Sequence, residues 1–199
     1  GLALVTAAAL VVWGLTGPDA EPAAAGDGAV ETATPQGLAA AVDTHLADDK
    51  MLTARDTSDG VGGNAGPELR VDLTYRVDGA PVDFSVGATE DLTEWDGVEK
   101  ICSKTSSPDT CTISRAGDGS RMAVLHIAEK SRMEPGFSLV VVHRGDQVVF
   151  ATEAPKTPTE LADLPVPVAG LEEIVTDPLV GLSTSPETNA QGESLPFGP

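Results

Sequence analysis

Lysine and arginine are absent from the first 49 residues and from the last 43. All 12 basic side chains fall between positions 50 and 156, among 17 acidic ones, while each flank carries seven acidic groups and the chain a net charge of −19. No basic stripe exists of the kind that neutralises phosphates, which excludes nucleic acid as a partner. The mixed centre has the surface of a folded domain, and the flanks read as solvated, self-repelling segments.

The chemistry-bearing motifs are missing too. The sequence has no G-x-x-x-x-G-K-[ST] or G-x-G-x-x-G for nucleotides, no G-x-S-x-G, no S-x-x-K with its companion boxes and no H-E-x-x-H. No cofactor is therefore expected. The calcium loop D-x-[DN]-x-[DN]-G-x5-E is echoed only in part by Asp56-Thr57-Ser58-Asp59-Gly60, which reads as linker. Acid pairs such as Asp48-Asp49 and Glu172-Glu173 fall on helices or tails and read as solvated faces, not as a glycosidase dyad.

Long apolar runs are limited to one, residues 1–15, GLALVTAAALVVWGL. As a helix it would cover about 22 Å, short of a hydrocarbon core of about 30 Å. The expectation is the outer part of a transmembrane helix, with the remainder upstream and Trp13 at the interface. The alternative is a signal-peptide core with Ala23-Ala24-Ala25 as its cleavage site. The membrane is thus one expected partner, through this helix. The domain would lie outside the cytoplasm, single-pass and anchored, or else secreted. Residues 16–34 are a flexible acidic linker, rich in Ala, Gly and Pro.

Only two cysteines occur, Cys102 and Cys111, nine apart around a polar stretch. In an exported chain this pair predicts a disulfide closing a surface loop. A redox or metal pair would want C-x-x-C spacing or a second pair, and neither is present.

Strand signals fill the middle of the chain. Residues 121–154 hold three runs rich in β-branched residues, broken at Glu134-Pro135-Gly136 and at Gly145-Asp146, the pattern of consecutive antiparallel strands. The middle run is apolar on both faces from Leu139 to Val142 and should be an interior strand. Leu69, Val71, Leu73, Tyr75 and Val77 alternate with polar residues, the cleanest period-two signal present. Asp78-Gly79 predicts a hairpin turn into Val82, Phe84, Val86 and Ala88, with Pro81 marking an edge strand. A short strand is read at 112–115, and 91–101 is open between a helical turn and a strand, with Trp95 packing under the sheet.

Helices are expected at 35–50, capped by Thr34-Pro35, and from the capping box Thr157-Pro158-Thr159-Glu160 through Leu164. Leu171, Ile174 and Val175 make one further apolar turn. The fold class is α+β: a mostly antiparallel sheet of about six strands, with the N-terminal helix and short C-terminal helices covering one face. Residues 35–176 form a single domain, and 177–199 a disordered or loosely docked tail.

His126 and His143 are the candidate metal pair. If Lys130 pairs with Phe137, His126 faces Val141 and Val124 faces His143, so the imidazoles lie diagonally on one face. Spacing supplies no third ligand, and no metal is expected. Arg144-Gly145-Asp146 spells an adhesive tripeptide at a hairpin tip, yet Gly-Asp is also what a tight turn requires, and the turn reading is preferred.

From Leu164 the chain reads LPVPVAGLEEIVTDPLVGL. With the apolar start and the acidity, this resembles the extracytoplasmic parts of actinobacterial single-pass membrane proteins, some encoded beside extracytoplasmic-function sigma factors. The resemblance carries no functional residues. It implies a cytoplasmic tail upstream and an outer domain that senses or binds. The expected function is a non-enzymatic envelope module that binds a protein or small molecule, up to the sensor half of a signalling protein. The alternatives are a metal-dependent hydrolase using the strand histidines and a purely structural surface protein.

Overall fold

The computed structural model describes residues 29–46, 49–58, 68–77, 80–90, 98–103, 110–127, 136–153 and 166–198. The apolar run and most of the linker, the Asp78-Gly79 turn, Trp95, the loop broken at Pro135 and the capping box at 157–160 lie outside these residues.

The chain enters through β1 (Glu31–Thr32) and α1 (Pro35–Asp43), followed by a 3-10 turn over Thr44–Leu46. The Thr34 hydroxyl accepts from the Gly37 amide at 2.9 Å, the cap its sequence promised, and Pro35 opens the helix. Three strands come next, β2 (Lys50–Asp56), β3 (Glu68–Val77) and β4 (Ala80–Thr89). A short helix α2 (Val98–Ser103) leads to the meander β5 (Thr110–Arg115), β6 (Arg121–Ile127), β7 (Phe137–Arg144) and β8 (Gln147–Glu153). The chain closes with α3 (Val168–Thr176), β9 (Ser183–Thr184), α4 (Pro186–Gly192) and β10 (Phe197–Gly198).

The main sheet runs β10-β2-β3-β4-β8-β7-β6-β5, and β1 pairs separately with β9. The fold is α+β, but the sheet has eight strands rather than about six, and it is mixed, because β10 joins β2 in parallel. The two added strands are β2 and β10. Strand β2 escapes a period-two reading because its register shifts between Met51 and Thr53, so its buried residues Met51 and Ala54 fall three apart. The chain beyond Asp177 was expected to be loose. It instead forms β9, α4 and β10, because Asn189 and close glycine contacts fasten it to α1.

Pro81 does not mark an edge. β4 is interior, between β3 and β8, but its pairing with β8 runs only from Phe84 to Thr89. The missing amide at position 81 therefore costs no ladder bond on that side among the described residues. β7 is interior as read, with β6 and β8 as neighbours.

The sheet's two faces differ. On one, Leu38, Ala41 and Val42 of α1 and Leu171, Ile174 and Val175 of α3 cover Val71, Leu73, Val86, Val140, Val142 and Val149 in a continuous core. Tyr75 is fully buried there, donating to Asp43 Oδ1 at 2.8 Å and stacking on Phe84 at 5.6 Å between centroids. Burial and the Asp43 carboxylate both push its phenol well above the usual tyrosine range. α4 packs against α1. On the other face a smaller cluster, Leu125, Leu139, Val141, Val148 and Phe150, is joined by Ile101 of α2.

Cys102 and Cys111 are joined as a disulfide, with Cα atoms 5.4 Å apart, tying α2 to the edge strand β5. Reducing it, or replacing both cysteines with serine, should lower stability by roughly 2–3 kcal/mol in the chain-entropy view. The urea midpoint with and without reductant reads this directly, and an unmoved midpoint would show the bridge to be energetically idle.

Candidate functional site

Half of the second face is covered by none of the described residues, and a ligand could sit there. Cross-strand pairing lines up Arg55, Asp72, Ser85 and Thr152 in one row and Thr53, Thr74 and Asp83 in the next. Alternation dictates this: β3 and β4 send Val71, Leu73, Phe84 and Val86 into the core, so their intervening polar residues all emerge on the opposite side. Together with Arg70 and Gly198 they bound an open hollow of about 610 Å³.

The hollow is internally wired. Ser85 donates to Asp72 Oδ1 at 2.5 Å, Thr74 donates to Asp83 Oδ1 at 2.7 Å, and Arg70 Nη2 donates to Ser85 Oγ at 3.4 Å. Arg70 Nε lies 3.8 Å from Asp72 Oδ1, beyond hydrogen-bond reach, and is buried without a hydrogen-bond partner. Two guanidinium and two carboxylate groups face the space, so its charge is balanced. Gly87 permits the wall beside it: a Cβ there would lie 2.5 Å from Phe150 Cζ and 2.9 Å from the Leu69 carbonyl. The second apolar cluster begins at that wall.

The structure does not bring the candidate histidines together. Ile127 pairs with Phe137, so His126 lies opposite Ser138 and His143 opposite Arg121. This register is offset by an odd number of residues from the one the loop suggested, and an odd offset sends the two imidazoles to opposite faces of the sheet. Among the described residues no group of three His, Cys, Asp or Glu side chains could hold a metal. His126 Nδ1 instead lies 3.0 Å from Ser138 Oγ, on the covered face.

Beside that pair is a residue the sequence reading passed over. Glu153 is fully buried, opposite Ser138 on β7 and Phe84 on β4, and neither carboxylate oxygen has a hydrogen-bond partner. Burial pushes its carboxyl up to about 7; the Val166 amide pulls the other way, too loosely placed to count as a hydrogen bond. Parity along β8 was the available signal, since Val149, Ala151 and Glu153 share a face.

The Arg144-Gly145-Asp146 tripeptide is a turn whose arginine points inward. Gly145 takes a φ of +65°, the left-handed conformation glycine tolerates best. The Arg144 guanidinium donates to the carbonyls of Thr176, Asp177 and Val180. His45 Nε2 meets Asp177 Oδ2 at 2.7 Å from the other side. Val166 to Leu182 make up α3 with its lead-in and its clamped exit.

No protein-family model, curated protein or solved structure matches the chain. No helix among the described residues is long and apolar enough to cross a membrane.

Proposed function

We propose that this chain is the extracytoplasmic module of a cell-envelope protein, tethered by its N-terminal apolar run or secreted, and that it works by binding rather than by catalysis. The observation that carries the reading is the polar hollow over β2, β3 and β4. A sheet face that none of the described residues covers, lined with wired donors and acceptors, suits a ligand that satisfies both. The disulfide agrees with an oxidising compartment. Ser138, the hydroxyl next to a histidine, is fully buried and out of reach of a substrate.

Balanced charge around the hollow favours a neutral or zwitterionic solute: a sugar, an amino acid or a short peptide. Thermal-shift titration of the full chain with these three classes tests the proposal. A ligand present at a hundred times its dissociation constant should add about 2.7 kcal/mol of stability. Arg55→Ala, at an exposed position on the rim, should remove that gain while moving the ligand-free protein by no more than about 0.5 kcal/mol. No shift with any class, or a shift that survives Arg55→Ala and Asp83→Asn, would refute a ligand in this hollow.

A further inference from the structure

Glu153 sits at the seam between the sheet and its cover. α3 packs on β7 and β8. Arg144, six residues along β7 from Ser138 and so about 20 Å away, holds the C-terminal end of that helix. Glu153 faces its lead-in at Val166. The helices of the cover cannot neutralise it. α1, α3 and α4 all derive from the two stretches that lack lysine and arginine. Their acidic groups nearest in sequence to the seam, Glu172 and Glu173 on α3, are half-buried and exposed. On the sheet side, β7 offers Ser138 and β4 offers Phe84; Asp83 emerges on the opposite face, into the hollow. β6 offers His126, whose Nδ1 is engaged with Ser138. Among the described residues an ionised carboxylate in this position meets no Lys or Arg and has no hydrogen-bond partner, a costly state that water entry would relieve.

We propose that Glu153 is a proton-operated latch: protonated, it lets Val166 and α3 seal against β7 and β8, and ionised, it draws water into that seam and loosens the seal. The sign follows from linkage. A carboxyl that holds its proton more tightly when buried contributes stability that is complete below the ordinary value of 4.5 and is lost as pH rises toward about 7. Acid outside the cell would close the domain and neutral pH would ease it open.

Hydrogen–deuterium exchange on the full chain, corrected for intrinsic rates, tests this at pH 5 and pH 8. Each pH unit across the window is worth up to tenfold, so the opening constant of α3 amides should rise about a hundredfold. The rise should centre on 168–176, and Glu153→Gln should abolish it. A wild-type rise that Glu153→Gln leaves intact would assign the effect to the general acidity of the chain and overturn the latch. A rise spread evenly over β3 and β4 would overturn it as a local device. If the glutamine variant does not fold, carbon-13 titration of the wild-type Glu153 carboxyl decides: a midpoint near 7 supports the latch and one below 5 refutes it.

Discussion

Gly192→Ala should cost about 3 kcal/mol, the upper range for forcing extra atoms into a packed contact. A Cβ at this position would overlap the carbonyl of Gln36 and come within 2.7 Å of the Gly37 amide. Both are backbone of α1, so no side chain can rotate out of the way. On the opposing helix, a Cβ at Gly37 would overlap the Asn189 side chain. Asn189 is the fastening there: its Oδ1 accepts from the Thr34 amide and hydroxyl at 3.0 Å each, and its Nδ2 donates to Glu31 and to the Thr32 carbonyl. Pushing α4 away from α1 loosens all four bonds and the β10 strand that follows. Gly170→Ala is the control. Its Cβ would meet only Val166 at 3.5 Å and Pro167 at 4.0 Å, ordinary contacts. It should be neutral or stabilising by up to about 1 kcal/mol, since alanine is the better helix former. The urea midpoint should fall for Gly192→Ala and hold or rise for Gly170→Ala; equal shifts would show that α1 and α4 are not closely apposed.

Arg144→Met should be comparably damaging, at about 3 kcal/mol or more. Burial holds the guanidinium below its ordinary range, against the opposing pull of Asp177 and Asp118, yet it stays charged and serves three carbonyls at once. Removing it leaves the Thr176 and Val180 carbonyls without their donor, while the Asp177 carbonyl keeps the Val180 amide, and orphaned buried acceptors cost about 1–3 kcal/mol each when water cannot reach them. Arg144→Lys should recover less than half, because one ammonium on a flexible stem cannot span acceptors at residues 176, 177 and 180. Full rescue by lysine would show that charge alone matters and that the fork geometry is incidental.

How much of this was legible depends on which residues spoke for themselves. Alternation at Leu69 to Val77 gave β3, the doubly apolar run at Leu139 gave an interior strand, and Thr34-Pro35 gave a helix start; each is a local signal with one physical cause. The disulfide followed from there being one pair to make. Strand β2 was hidden by its bulge, and β10 by being two residues long, too short for any period to show. The histidine geometry failed on register. A loop residue count that is off by an odd number reverses every side chain, and 131–135 offers no turn motif strict enough to fix it. The hollow was invisible for a different reason: Arg55, Asp72 and Asp83 are ordinary polar alternates in their own strands and become a site only once β2, β3, β4 and β8 are laid side by side. Glu153 was readable by parity but looked like a strand end, where a carboxylate is normally solvated.

The helical layer drawn from two stretches without a single cation gives the domain an electrical front and back. Among the described residues lysine and arginine fall on the sheet strands and on α2, while α1, α3 and α4 carry acid alone. Such a body carries a torque in any external field. A field of either sign would turn the helices toward its positive side and the Arg55 side of the sheet toward its negative side, with the turning force fading beyond a screening length of about 8 Å at physiological salt.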